Sequence, residues 1–204
     1  MATNSKKITI PKTTVMKKLL LTLASLATLS FASNAQLNFA PVAGLNLANL
    51  TTDSDGDDSQ TKLGVHLGAV VNYSFNDRFS VEPGVLFSMK GAKGDGDYSV
   101  NLNYIEVPVN AIYTFPMGLM IHAGPYLGLL MSAKQKAGGA EADIKDFTQT
   151  IDFGLNAGVG YKLPMGLFAR AQFGYGASNI NKDLPGKASN TVVGITLGYY
   201  LRKN

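Results

Sequence analysis

A chain of 204 residues without a single cysteine has room for one moderate domain and cannot be held together by disulfides. The net charge of +4 suggests a basic protein, yet five of the 18 basic residues (Lys6, Lys7, Lys12, Lys17, Lys18) and none of the 14 acids fall in the first 35 positions. The remaining 13 basic and 14 acidic groups give a net of −1, which excludes the basic footprint of a nucleic-acid binder.

The first recognisable element is an export signal. Met16–Ala35 reads MKKLLLTLASLATLSFASNA: a basic start, an apolar run from Leu19 to about Phe31, and a small-residue end. That pattern predicts cleavage between Ala35 and Gln36. The apolar run is shorter than the roughly 20 residues of a membrane-spanning helix. Residues 1–15 read as an extension upstream of a start at Met16, and 36–204 as the mature domain.

Beyond Gln36 the pattern is alternation with period two, the mark of strands with two unlike faces. A weak strand is expected over about 38–50. It is followed by the acidic run Asp53–Asp58, DSDGDD. An EF-hand loop wants glycine at its sixth position and glutamate at its twelfth. Counting from Asp53, Asp58 and Gly64 stand there, so a solvated loop is the better reading and divalent-cation binding the lesser. Seven stronger strands follow, over 63–75, 79–90, 104–115, 119–130, 151–162, 167–176 and 193–202. Tight links (76–78, 116–118, 164–166) alternate with long polar ones (51–60, 91–99, 132–148, 179–190). Eight strands joined this way predict an all-β, antiparallel up-and-down barrel with its long loops at one end.

Two barrels fit that count. A soluble lipocalin-like barrel turns its apolar face inward; a transmembrane barrel turns it outward. In the strong strands one face is continuously apolar, for example Leu63, Val65, Leu67, Ala69, Val71, Tyr73 and Phe75. Glu82, Lys90, Glu106, Asp152, Lys162, Arg170 and Arg202 all sit on the other face, among glycines. The interior of an eight-stranded barrel is just wide enough for side chains to fill. A cation on the lipid face near the midplane costs about 2–4 kcal/mol. The expected architecture is therefore a transmembrane barrel in the bacterial outer membrane. Tyr73, Phe75, Phe79, Tyr113, Phe115, Tyr161 and Tyr199 would form its periplasmic aromatic girdle.

Inward charges must find partners. The expected interior network joins Glu82, Glu106, Lys162, Arg170 and Arg202, with Arg170 as hub because its planar fork can engage two carboxylates. Pro83, Pro108 and Pro125 cannot donate to a ladder and predict bulges or missing bonds.

The segments NYIEVPVNAIYTF (103–115) and VVGITLGYYLRKN (192–204) resemble the PorT-type outer-membrane β-barrel domain family, and VEPGVLFSMKG, GPYLGLL and the repeated N-x-G-x-G fit its pattern. The resemblance spans about 36–204. It implies a Gram-negative outer-membrane protein; most members have no assigned activity. The founding member is tied to protein secretion, and no residue here matches a functional site of it.

No phosphate loop, metal cluster, redox motif or nucleophile elbow is readable, so no cofactor or catalytic residue is expected. His66 and His122 face inward. A pore is not expected from so narrow a barrel. Three readings remain. The first is a non-enzymatic barrel acting structurally or through its long loops. The second is a lipid-modifying barrel enzyme of acyltransferase or deacylase type. The soluble lipocalin-like barrel is third. Expected partners are outer-membrane lipid, the barrel-assembly machinery and an unidentified extracellular or periplasmic protein; the chain is expected to be monomeric.

Overall fold

The computed structural model describes residues 36–52, 60–182 and 186–201. The segment expected to be an export signal (with Ala35), the acidic run Asp53–Asp58 and Arg202 lie outside the described residues. The described residues form nine strands: β1 Gln36–Thr52, β2 Lys62–Ser74, β3 Phe79–Lys93, β4 Ser99–Thr114, β5 Leu119–Ala137, β6 Ala140–Asp143, β7 Ile151–Lys162, β8 Leu167–Gly176 and β9 Ala188–Tyr199.

Every pairing is antiparallel between sequential barrel strands, and β1 pairs with both β2 and β9. The ring β1-β2-β3-β4-β5-β7-β8-β9 therefore closes, leaving β6 as a short hairpin partner of the upper part of β5. Closure satisfies the backbone of the barrel wall from within the sheet, which lipid demands because it offers no hydrogen bonds.

The sidedness follows the period-two pattern. Leu67 is 54% exposed, Val109 40% and Leu155 64%, whereas Glu106 and Arg170 are each 5% exposed. Apolar side chains face outward and charged ones inward, which rules out the lipocalin-like arrangement. At the short-turn end the outward aromatics touch one another edge to face: Phe79–Tyr113 and Tyr113–Phe115 at 4.8 Å between ring centres, and Tyr73–Phe75 at 4.9 Å.

The prolines act by omission rather than by bulging. The β2–β3 ladder skips from Val70–Gly84 to Tyr73–Val81 with the register unchanged beside Pro83. The β4–β5 ladder skips from Pro108–Tyr126 to Ala111–Ala123 beside Pro125, again in register. The one shift in that ladder lies at Asn103/Tyr104, away from any proline. A missing N–H removes one rung and leaves the pleat intact.

The turns at the girdle end show why the sequence specifies hairpins there. Phe115–Gly118 and Leu163–Gly166 have the same build: proline second, methionine third, and glycine last with φ of 89° and 98°. In each, the glycine N–H donates to the carbonyl three residues back. Proline presets the second position and glycine takes the left-handed one, the three-residue hairpin solution. The third turn is held by Asn76, whose Oδ1 accepts from the N–H of Arg78 at 2.9 Å and of Phe79 at 2.8 Å.

At the other end, much of what the sequence presents as loop is strand. β1 runs to Thr52, β3 to Lys93, β5 to Ala137, and β9 starts at Ala188. Polar composition there reflects strands that rise clear of the membrane, where the outer face meets water while Ala92, Ala133, Ala188 and Asn190 stay buried on the inner one.

A cation introduced outside should be costly. Leu155→Arg is expected to destabilise the barrel by about 2–4 kcal/mol, read from urea titrations of folding into lipid vesicles. The same substitution at exposed Thr61 beyond the apolar band is expected to change little.

Candidate functional site

The lumen holds two separate polar clusters. In the first, nearer the short turns, Glu82 of β3 is 1% exposed. Both oxygens of its carboxylate meet the Arg170 fork from β8, Nη1 on Oε1 and Nη2 on Oε2 at 3.0 Å. The Tyr200 hydroxyl donates to Oε2 at 2.5 Å and accepts from Arg170 Nη2 at 2.6 Å. Asn72 adds a bond to Oε2 at 3.3 Å. The Phe168 ring lies 4.3 Å from the guanidinium carbon, so the cation is faced by an aromatic as well as by its carboxylate.

The second cluster lies toward the loops. Lys90 of β3 meets Glu106 of β4 at 2.6 Å and Asp152 of β7 at 3.4 Å. Asp152, fully buried, also accepts from Ser178 at 2.6 Å, Asn190 at 3.0 Å and Tyr126 at 3.2 Å. The Lys90 ammonium sits 4.1 Å from the centre of the Tyr126 ring. One cation thus serves two carboxylates, and hydroxyl and amide donors make up the difference.

This arrangement departs from a single network centred on Arg170. Arg170 engages one carboxylate and a phenol; Glu106 belongs to Lys90. Lys162 is exposed at the periplasmic mouth, its ammonium 5.4 Å from the Tyr200 ring centre. Lys90 and Asp152 complete the upper cluster. Their inward parity was readable in the sequence, but their proximity was not, because β3 and β7 meet only across the closed lumen.

Large apolar side chains share the interior. Ile112, Met120, Phe168 and Tyr200 form a cluster with Ala40, Val42 and Val70, and Leu102, Tyr104, Leu130, Ala133, Ile180 and Ala188 form a second. Inward glycines make room for them. A Cβ at Gly198 would come within 2.7 Å of the Phe168 ring, and one at Gly158 within 2.7 Å of the buried His122 ring.

Above the second cluster the loops tie to each other. Gln149 N–H donates to Ile180 carbonyl at 2.7 Å and Lys182 N–H to Phe147 carbonyl at 3.0 Å. Gly139 N–H donates to Asp97 at 3.1 Å, and Gln60 to Asp95 at 3.1 Å. Among the spaces left in the lumen are two of about 10 and 30 Å³, with one of about 50 Å³ at the short-turn mouth.

A closed barrel with a charged lumen and an apolar exterior agrees with what the sequence matches. Residues 19–200 match the outer membrane protein beta-barrel domain family. The chain belongs to that family. This outer-membrane barrel resides in the bacterial outer membrane, and its exposed Leu, Val and Phe belt is its lipid-facing surface. Among solved structures, Neisserial surface protein A is similar at 19% identity and a TM-score of 0.54, over 80% of this chain and 97% of that one. Ail, the attachment invasion locus protein of Yersinia pestis, is similar at 14% identity and 0.51, over 80% of this chain and 99% of that one. Both likenesses concern the fold. No curated protein sequence matches it.

Within this barrel one constellation has the order of a hydrolase relay. Asn46 Nδ2 donates to the Met89 carbonyl at 3.1 Å, which fixes its amide orientation. Its Oδ1 therefore faces His66 Nδ1 at 2.8 Å and must accept from it. His66 Nε2 then accepts from the Thr196 hydroxyl at 2.9 Å. Hydroxyl, imidazole and amide stand in the right sequence, but all three are buried; the space beside Asn46 and His66 is about 10 Å³ and the one beside Thr196 about 30 Å³, room for a water or two. As a structural element the relay ties β1, β2, β3 and β9 together. Among the described residues no group of three or more His, Asp or Glu side chains is gathered to hold a metal ion.

Removing one partner of a buried pair leaves a bare charge. Arg170→Met is expected to cost about 3–5 kcal/mol and to lower the temperature at which the folded gel band is lost. Adding Glu82→Leu should recover most of that loss, because the uncompensated carboxylate goes with it. An unchanged melting temperature in Arg170→Met would show the pair to be idle.

Proposed function

We propose that this protein is a sealed, non-enzymatic outer-membrane barrel, monomeric and inserted by the barrel-assembly machinery, with a structural or interaction role carried by its extracellular loops. The observation that carries this reading is the stacking of two ion-paired clusters across the lumen between two apolar ones. Opening a water path along the axis would require separating Glu82 from Arg170 and Lys90 from Glu106 and Asp152. Each separation leaves charges in a low-dielectric interior. The loop-to-loop hydrogen bonds support the interaction role, since a pre-ordered surface spends less entropy on binding. The resemblance of 103–115 and 192–204 supports a PorT-type place within the family. The signal pattern supports release of residues 1–35, which makes Gln36 the first residue of the mature chain and of β1.

The Asn46–His66–Thr196 relay is the one observation that favours a lipid-modifying enzyme. Its burial weighs against that role: Thr196 is 7% exposed and lines a space of about 30 Å³, far too small for an acyl chain.

Three measurements test the reading. In planar bilayers the purified barrel is expected to give no conductance steps; stable openings would refute a sealed lumen. Lipid extracts from cells with the wild type and with His66→Ala are expected to show the same acylation pattern, and a wild-type change lost in the variant would establish the enzyme instead. The intact mass of the membrane-purified protein should correspond to a chain beginning at Gln36; a mass retaining residues before Ala35 would refute the cleavage site.

A further inference from the structure

The girdle end carries a feature that neither the seal nor the loops uses. The three turns there are locked to the strand ends beside them. Thr114 N–H donates to Arg78 carbonyl at 2.8 Å, Lys162 N–H to Gly118 carbonyl at 2.8 Å, and Tyr200 N–H to Gly166 carbonyl at 2.9 Å. One turn after another is thereby fixed around the rim. The Phe115–Gly118 turn is bracketed on both sides: Arg78 is tied to the residue before it and Lys162 to its last residue. Between these turns lies a depression of about 430 Å³, with Arg78 and Lys162 among its walls.

Its other walls say what could occupy it. Tyr161, Phe115, Met117 and Leu163 supply an amphipathic and apolar lining, and Asp77 is the one acid. Tyr161 and Phe115 are also girdle residues, and girdle aromatics mark the depth of lipid headgroups. Met117 is 81% exposed, an apolar side chain presented where the rim meets lipid. Two cations against one acid, at headgroup depth and beside apolar contacts, match an anionic phosphate that carries acyl chains. A soluble anion would have no use for the methionine and leucine.

We propose that this depression is a binding site for the phosphate headgroup of an inner-leaflet phospholipid, held by Arg78 and Lys162, with Tyr161, Met117 and Leu163 against its glycerol and upper acyl region. Arginine offers a fork to phosphate oxygens and lysine a point charge. The locked turns hold both residues in place before the lipid arrives, so little ordering is required on binding.

The test uses the full-length protein purified from membranes in detergent, with phosphatidylglycerol as probe and native mass spectrometry as readout. The wild type is expected to retain one phosphatidylglycerol. Arg78→Gln/Lys162→Gln is expected to lose retention by roughly tenfold or more, given about 1 kcal/mol per cation near an anionic lipid. Lys93→Gln, at the loop end, is expected to retain lipid as the wild type does. Folding of each variant is checked by its heat-modifiable gel band; should the double variant not fold, Arg78→Gln alone, in an exposed turn, is expected to give a severalfold loss. Equal retention in wild type and in the rim variant would overturn the proposal. So would an equal loss in Lys93→Gln, or displacement of the lipid by millimolar inorganic phosphate, which would assign the site to a soluble anion.

Discussion

Lipid on the outside leaves the charged side chains of the wall nowhere to go but the axis. A strand in a membrane barrel has two faces, and the outer one cannot hold a cation near the midplane without a cost of a few kcal/mol. Glu82, Lys90, Glu106, Asp152 and Arg170 are all inward and at most 5% exposed. Once there, they cannot stand alone, because the lumen is too narrow for the water that would solvate them. The pairing of Glu82 with Arg170 and of Lys90 with Glu106 and Asp152 is thus a consequence of the exterior. What the sequence chooses is which strands supply the partners.

Filling is the second consequence. A lumen this narrow must be packed to crystal-like density, and bulky side chains fit only where the facing position is empty. Phe168 lies over Gly198 and His122 over Gly158. The glycine content that reads in the sequence as a small, polar face is in the structure one half of a large-against-small packing. Its counterparts are Tyr104, Phe168, Leu102 and Met120, which are among the most deeply buried side chains of the described barrel.

Barrel, strand order and sidedness were legible because they depend on one-dimensional features: alternation, turn residues and the length of links. Pro116-Met117-Gly118 and Pro164-Met165-Gly166 announce hairpins by chemistry alone. The inward parity of Glu106 and Arg170 was legible for the same reason. Partnership was not. Lys90 and Asp152 are 62 residues apart and joined only across the lumen, and no periodicity records which strands face each other or how far each is staggered. The second tyrosine of the Tyr199-Tyr200 pair illustrates the limit. Parity turns it inward, but only the closed barrel places its hydroxyl between Glu82 and Arg170. The upper ends of β1, β3 and β5 were misread as loops because the signal is alternation against lipid, and it fades where a strand rises into water.

The same reasoning separates what the fold fixes from what it leaves open. Lipid specifies only that the outer face be apolar and the inner one hydrogen-bonded and filled. Many sequences satisfy that, which is why barrels at 14–19% identity share this architecture over 80% of the chain. Inside, Glu82, Lys90, Glu106, Asp152 and Arg170 are each committed to an ion-pair partner, so a change there must be matched by a second change on another strand. At the two ends the coupling is weaker, because pairs such as Lys134–Glu141 are exposed to water. The turns and loops already satisfy their own backbone through hydrogen bonds to neighbours, so side chains such as Arg78, Lys162 and Met117 can differ one at a time without disturbing the wall. The interaction role proposed for this barrel therefore belongs at its rims.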